Sequence, residues 1–100
     1  MSPDDLRAIM TYLRQRVQLA TDDPESPITI IFETPTVEDM IAHGLDPDGS
    51  SRLLNAPWWD EMVTDVIETP DMCDPDDPPQ QTLEFARDVI AEYIRKRFEI

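Results

Sequence analysis

The chain has 100 residues, 40% of them hydrophobic, and a formal net charge of −14 at pH 7. This length is sufficient for one hydrophobic core, and a single cysteine excludes an internal disulfide. Because such an acidic surface repels DNA, RNA and anionic lipids, we expect no direct binding to nucleic acid or membranes. The acidic N-terminus and the lack of a long apolar run predict a soluble, cytoplasmic protein.

The N-terminal segment is predicted to form a helix over residues 3–20. Ser2 is a suitable N-cap and Pro3 fits the first helical position. Apolar residues then recur at helical spacing: Leu6, Ile9, Met10, Leu13, Val17 and Ala20. Residues 21–27 contain two prolines and three acids, and this composition predicts a loop.

Residues 28–33, "ITIIFE", are β-branched and aromatic between two prolines, which predicts one strand. A lone strand leaves its backbone groups unpaired, so this strand needs a partner. The candidates are the C-terminal "RFEI", the same strand of a second copy in a homodimer, or the edge of another protein. The sequence leaves all three open.

Three further helices are predicted, over residues 36–43, 57–68 and 82–98. Thr36 and Asp39 have the spacing of a capping box, Gly44 ends the first of these helices, and Asn55 lies near the cap of the second. "LDPDGSS", between these two helices, has the composition of a turn. The whole chain therefore predicts a single α+β domain, mainly helical, with about four helices and one clear strand.

The sequence contains few residues that would indicate a catalytic or metal-binding site. Cys73 and His43 are the only thiol and the only imidazole, and the aspartates around Cys73 disfavour a reactive thiolate. "DPDGSS" begins like a calcium loop, but Ser51 and Pro57 stand where that loop needs glycine and glutamate. We therefore expect no enzyme, no metal site and no cofactor.

Charge is segregated along the chain. Residues 1–20 carry two acids and three bases, and residues 82–100 carry four of each. Residues 21–81 therefore hold 16 acids against one base, Arg52. The stretch "TPDMCDPDDPPQQ", residues 69–81, is predicted to be a stiff acidic loop that extends the helix before it. The middle of the chain is thus a candidate binding surface for a basic partner.

The predicted contacts with that partner lie on the helix 57–68 and the loop after it. They are eight acids, Asp60, Glu61, Asp65, Glu68, Asp71, Asp74, Asp76 and Asp77, with Trp58 or Trp59 as an aromatic anchor. Adjacent helical residues point about 100° apart, so Trp58 and Trp59 cannot both enter the same core groove.

In size, charge and lack of catalytic groups, the chain is similar in general character to small acidic inhibitors encoded by phages and mobile elements, including DNA-mimic anti-restriction and anti-CRISPR proteins. That similarity implies that the chain inhibits a protein whose basic surface binds nucleic acid. An immunity protein or antitoxin against a basic nuclease would use the same physics. The alternative is a solvated surface that only maintains solubility, as in salt-adapted proteins.

A second resemblance is local. "FETPTVEDMI", residues 32–41, runs from a strand through Pro-Thr into a short helix and resembles the "E-P-T-x-x-D-L" segment of phage tail-assembly chaperones. This resemblance implies a small chaperone or adaptor that binds its partner through apolar faces. Such binding would depend little on salt, whereas binding through charge would depend on it strongly.

Overall fold

The computed structural model describes residues 2–20, 28–74 and 76–99. Within these residues the chain forms six helices and one two-stranded antiparallel sheet, which confirms the mainly helical α+β fold. The elements, in chain order, are α1 (Pro3–Gln15), β1 (Val17–Leu19), β2 (Ile30–Phe32), α2 (Val37–Ala42), α3 (Pro47–Leu54), α4 (Trp59–Ile67), α5 (Thr69–Met72) and α6 (Pro79–Phe98). None of the helices in the described ranges is long and apolar enough to cross a bilayer.

Helix α1 begins as predicted but ends earlier. The Ser2 hydroxyl accepts a hydrogen bond of 3.2 Å from the Asp5 backbone N–H. The helix ends at Gln15 rather than at residue 20, because the next residues form β1. Val17 continues the helical spacing, but Val17 and Leu19 are two residues apart, which places both on one face of a strand. The prediction of a helix over 16–20 was therefore wrong.

Strand β1 is the partner that the predicted strand required. Val17 pairs with Phe32 and Leu19 with Ile30 in an antiparallel register. The regular part of the 28–33 prediction is only Ile30–Phe32. Arg97 and Phe98 of the C-terminal "RFEI" belong to α6, so the described part of this segment is not a strand. One edge of β2 is therefore paired within the chain, and a homodimer through its other edge stays a prediction.

The segment after α2 is helical where a turn was predicted. Helix α2 has the predicted capping box, with Asp39 and Thr36 bonded to each other's backbone N–H, and it is followed by Gly44 at φ +105°. The next residues, "LDPDGSS", enter α3 because Asp46 caps it and Pro47 occupies its first position. The same Asp-Pro pair suits a turn or a helix start, so composition alone misled the prediction.

Two boundaries near the tryptophans also differ from the prediction. Asn55 is the C-cap of α3 and not the N-cap of the next helix. Helix α4 starts at Trp59 and its N-cap residue, Trp58, provides no side-chain hydrogen bond. Within the predicted loop 69–81, Thr69–Met72 form α5 and Pro79 begins α6, so the acidic connection is shorter than expected.

Helix α6 is the centre of the packing. It contacts α1, β1, α4 and α5. Its buried residues include Leu83, Ala86, Ile90 and Ile94, which recur at helical spacing, and they join one core with α1, α4 and the sheet. Val89 and Tyr93 have the same spacing but are only half-buried. They lie at the boundary where α6 faces α4 and α5.

Candidate protein-binding site

Residues 60–77, hereafter the acidic segment, carry eight carboxylates and no basic residue. Seven of the eight side chains belong to exposed residues, and Asp77 is half-buried. The four salt bridges among the described residues use Asp4, Glu33, Glu84 and Asp88, all of which lie outside this segment. The charge of the acidic segment is therefore not neutralised by ion pairs within the described part of the chain.

The two tryptophans have different positions, as their adjacency required. Trp59 is 4% exposed and packs near Phe32 in the core. Trp58 is half-buried, with its ring centroid 6.1 Å from that of Tyr93 on α6 and 6.3 Å from that of Phe98. Of the two candidate anchors, Trp58 is the one that presents surface, although α6 covers part of its ring.

Tyr93 connects the acidic segment to α6. Its hydroxyl donates a hydrogen bond to the carboxylate of Asp65 on α4. This hydrogen bond, with burial and the negative charges of Asp65 and Glu61, raises the pKa of Tyr93 to about 12, against the opposing effect of Arg97. Glu61 and Asp65 of the acidic segment therefore act on Tyr93 of α6 in the same direction, and Arg97 opposes them.

A groove of about 430 Å³ lies between α5 and α6, and we call it the Met72 groove. Its apolar lining consists of Met72, Phe85 and Val89, and Cys73 also faces it. Its acidic lining consists of Asp65, Asp74, Asp77 and Glu92. The structure thus brings three of the predicted contact residues together with one carboxylate of α6.

Met72 and Phe85 are both exposed apolar side chains, and Met72 is the more exposed of the two. Met72 is 88% exposed and Phe85 is 44% exposed. Phe85 and Glu92 were not predicted as contacts, because the acids and bases of residues 82–100 balance. The available signal was their spacing, since residues 85, 89 and 92 follow the i, i+4, i+7 pattern of one helix face.

The other predicted contacts lie outside the groove lining. Asp60 and Glu61 are in the first turn of α4, where the helix dipole favours negative charge. Glu68 and Asp71 flank the start of α5 as exposed residues. The backbone N–H of Asp76 donates a hydrogen bond of 3.0 Å to the Asp74 carboxylate, which orders part of the connection to α6. These acids extend the negative surface beyond the groove.

His43 and Cys73, the residues considered for catalysis, lie on different elements: His43 is the C-cap of α2 and Cys73 is the C-cap of α5. The His43 ring stacks on that of Tyr12, with centroids 3.8 Å apart and planes 16° apart. Cys73 is half-buried beside the groove. Among the described residues, no group of three or more His, Cys, Asp or Glu side chains is placed to hold a metal ion.

Comparisons of the chain with protein-family models, with curated proteins and with solved structures find no match. No family or activity therefore comes to this chain by similarity.

Proposed function

We propose that this protein is a non-enzymatic inhibitor that binds a partner through that partner's basic, nucleic-acid-binding surface. The observation that supports the proposal is the acidic segment, whose eight carboxylates have no basic residue among them and no salt bridge within the described residues. No cofactor takes part. Phage anti-CRISPR and anti-restriction proteins of the DNA-mimic type work in this way, and the proposal places this chain in the same functional class.

The mutual repulsion of these carboxylates favours binding to a basic partner. Clustered carboxylates repel one another, and the balanced charges of the N-terminal and C-terminal segments show that this chain can distribute charge evenly. A basic channel that binds the phosphates of nucleic acid is the natural complement, because carboxylates on a folded surface can occupy the positions of phosphates. Attraction between the two surfaces would also accelerate their association.

Rigidity of the acidic segment favours the same function. Asp60, Glu61 and Asp65 are carried by α4, which packs against α6 through buried Met62 and Val66. Pro70, Pro78 and Pro79 restrict the backbone after α4. A surface that is ordered before binding loses less conformational entropy when the complex forms.

A second candidate function is a phage assembly chaperone or adaptor that binds through apolar faces. The exposed side chains of Met72 and Phe85 favour it, because contiguous exposed apolar surface often marks a binding site. An immunity protein or antitoxin would differ from the first proposal only in its target, a basic nuclease. Salt dependence separates the apolar mode from both charge-based modes.

The test is affinity capture from a host-like lysate at low salt with wild-type protein and two charge-reversed variants. The first variant is Glu68→Lys, Asp71→Lys, Asp76→Lys within the acidic segment. The control is Glu38→Lys, Asp48→Lys, Glu99→Lys, which changes the net charge equally at exposed residues elsewhere. Circular dichroism checks that all three proteins are folded.

We expect wild-type protein and the control to capture a nucleic-acid-binding protein that duplex DNA displaces, and the first variant to lose it. Capture of the same proteins by all three chains, with no effect of DNA, would contradict the proposal. Capture that resists salt would support the apolar chaperone instead.

A further inference from the structure

We propose that the Met72 groove is a docking site for one apolar side chain of a basic amphipathic helix in the partner. This inference rests on the proposed function and adds a mode of recognition to it. If charge alone determined binding, the acidic segment would act as a uniform negative surface. The groove adds a specific apolar pocket within it.

The apolar part of the groove is open to solvent. Met72 is 88% exposed at the end of α5, and Phe85 is 44% exposed on the facing side of α6. Methionine is flexible and polarisable, so its side chain can adapt to a partner's shape. The volume of about 430 Å³ lies within the range of protein pockets that bind small ligands. It can therefore receive a large apolar side chain.

The charged part of the groove determines which partner fits. Four carboxylates line it, Asp65 of α4, Asp74 and Asp77 of the α5–α6 connection, and Glu92 of α6. None of the described residues that line the groove is basic. A helix that presents an apolar side chain, with lysine or arginine one turn before and after it, would therefore complement both parts of the groove. The apolar side chain would contact the apolar lining, and the basic residues would face the carboxylates.

Other occupants fit less well. A second copy of this chain would bring the same acidic segment close to these carboxylates, and like charges would oppose the contact. A nucleic acid is repelled for the same reason. A basic amphipathic helix is the occupant whose charge and apolar face complement the groove together, and such helices are common where proteins contact nucleic-acid phosphates.

Binding by this mode has two components. The contacts between carboxylates and lysine or arginine weaken as salt increases, because the charges are exposed and screened. Burial of the apolar side chain against Met72 and Phe85 does not weaken in the same way. Part of the affinity should therefore persist at high salt, and that part should depend on the apolar lining.

The experiment uses a fluorescent synthetic peptide of about 14 residues as the probe, with leucines at i, i+3, i+4 and i+7 and lysine or arginine elsewhere. Fluorescence anisotropy measures its affinity for wild-type protein, for Met72→Glu and for Ile41→Glu. Met72→Glu adds one negative charge and replaces an apolar side chain of the groove lining with a polar one. Ile41→Glu adds the same charge at an exposed isoleucine of α2, outside the groove.

We expect Met72→Glu to weaken peptide binding by about tenfold, because an apolar contact that the peptide buries is lost. The added negative charge would by itself attract the basic peptide, so weaker binding identifies the apolar contact. Ile41→Glu should change the affinity by less than about twofold. A peptide with the same charge but serines in place of leucines should bind about tenfold more weakly to the wild type. Alkylation of Cys73, the only cysteine, should be slowed by the leucine peptide.

Equal or tighter binding by Met72→Glu, or no binding of the leucine peptide by the wild type, would overturn the docking inference. A version of the peptide with glutamine in place of its basic residues that bound equally well would overturn it too. The variant Glu68→Lys, Asp71→Lys, Asp76→Lys separates the two proposals. Because that variant keeps all four carboxylates of the groove, its capture of partner proteins from lysate is measured beside its binding of the peptide. If it loses the captured partner while Met72→Glu binds the peptide as the wild type does, only the docking inference fails. If it captures the same proteins as the wild type, the charge-based function fails, whatever its affinity for the peptide.

Discussion

The Tyr93 hydroxyl on α6 donates a hydrogen bond to the Asp65 carboxylate on α4, and this contact joins the two helices at one end of the Met72 groove. It also couples the ionisation of a tyrosine to the acidic segment. Because the neutral hydroxyl is the donor, loss of its proton removes the hydrogen bond and places a second negative charge beside Asp65.

The pH dependence of stability should show this coupling. The pKa of Tyr93 is about 12 in the folded protein, above its ordinary value of 10.0. The contribution of the contact is therefore complete below pH 10 and is lost as the pH rises from about 10 to 12. Ultraviolet titration of tyrosinate should show one late-titrating tyrosine, and Asp65→Asn should lower its pKa. An unchanged titration in Asp65→Asn would contradict the assigned cause.

Arg87 should be a major contributor to stability. Its Nε donates to the Arg14 carbonyl at 3.0 Å and its Nη2 donates to the Val17 carbonyl at 3.2 Å, so it satisfies backbone groups where α1 ends and β1 begins. Arg87→Lys cannot reproduce this geometry and should lower the free energy of unfolding by about 1–3 kcal/mol. Urea denaturation measures the change. Arg95→Lys, at an exposed position of α6, is the control and should have little effect.

Two buried threonines should respond oppositely to replacement by valine. Thr82 Oγ1 has no hydrogen-bond partner among the described residues, so Thr82→Val should leave stability unchanged or raise it by about 1 kcal/mol. Thr69 Oγ1 donates to the Asp65 carbonyl at 3.0 Å, so Thr69→Val should lower stability by about 1 kcal/mol. Thermal unfolding of both variants checks the pair. Equal effects at the two sites would contradict these assignments.

The start of α2 offers a separate test of local structure. The Thr36 hydroxyl accepts a hydrogen bond of 3.2 Å from the Asp39 N–H, so Thr36→Ala should lower stability by about 1 kcal/mol. The Thr36 N–H in turn donates to the Asp39 carboxylate and holds the pKa of that group below its ordinary value. This second contribution is present above the unfolded pKa of 3.8 and is lost as the pH falls below it. Chemical denaturation at neutral and acidic pH checks both parts.

Elements with local chemical signals could be predicted from the sequence. Ser2 and Thr36 cap helices as their positions indicated, and the apolar spacing in α6 identified most of its buried residues. Strand β1 could not be identified, because Val17 fits the helical spacing with Ala20 and the strand spacing with Leu19, and only pairing with β2 decides between the two. The start of α3 was missed because Asp46 and Pro47 suit a turn equally well.

The candidate site was predictable only in its acidic half. Eight carboxylates without a basic neighbour are visible in the sequence, and the structure places Asp65, Asp74 and Asp77 in one groove. The other half depends on tertiary packing, because Phe85 and Glu92 reach the groove only when α6 lies beside α5. A balanced sum of charges over α6 concealed the fact that its faces differ.

The most direct test of the central claim is a competition between this protein and duplex DNA for the partner obtained by affinity capture. The partner's affinity for labelled DNA is measured with increasing amounts of wild-type protein, at several salt concentrations. We expect the protein to displace DNA completely, and we expect its own affinity for the partner to fall steeply as salt rises. Formation of a ternary complex in which DNA remains bound, with an affinity indifferent to salt, would contradict the central claim.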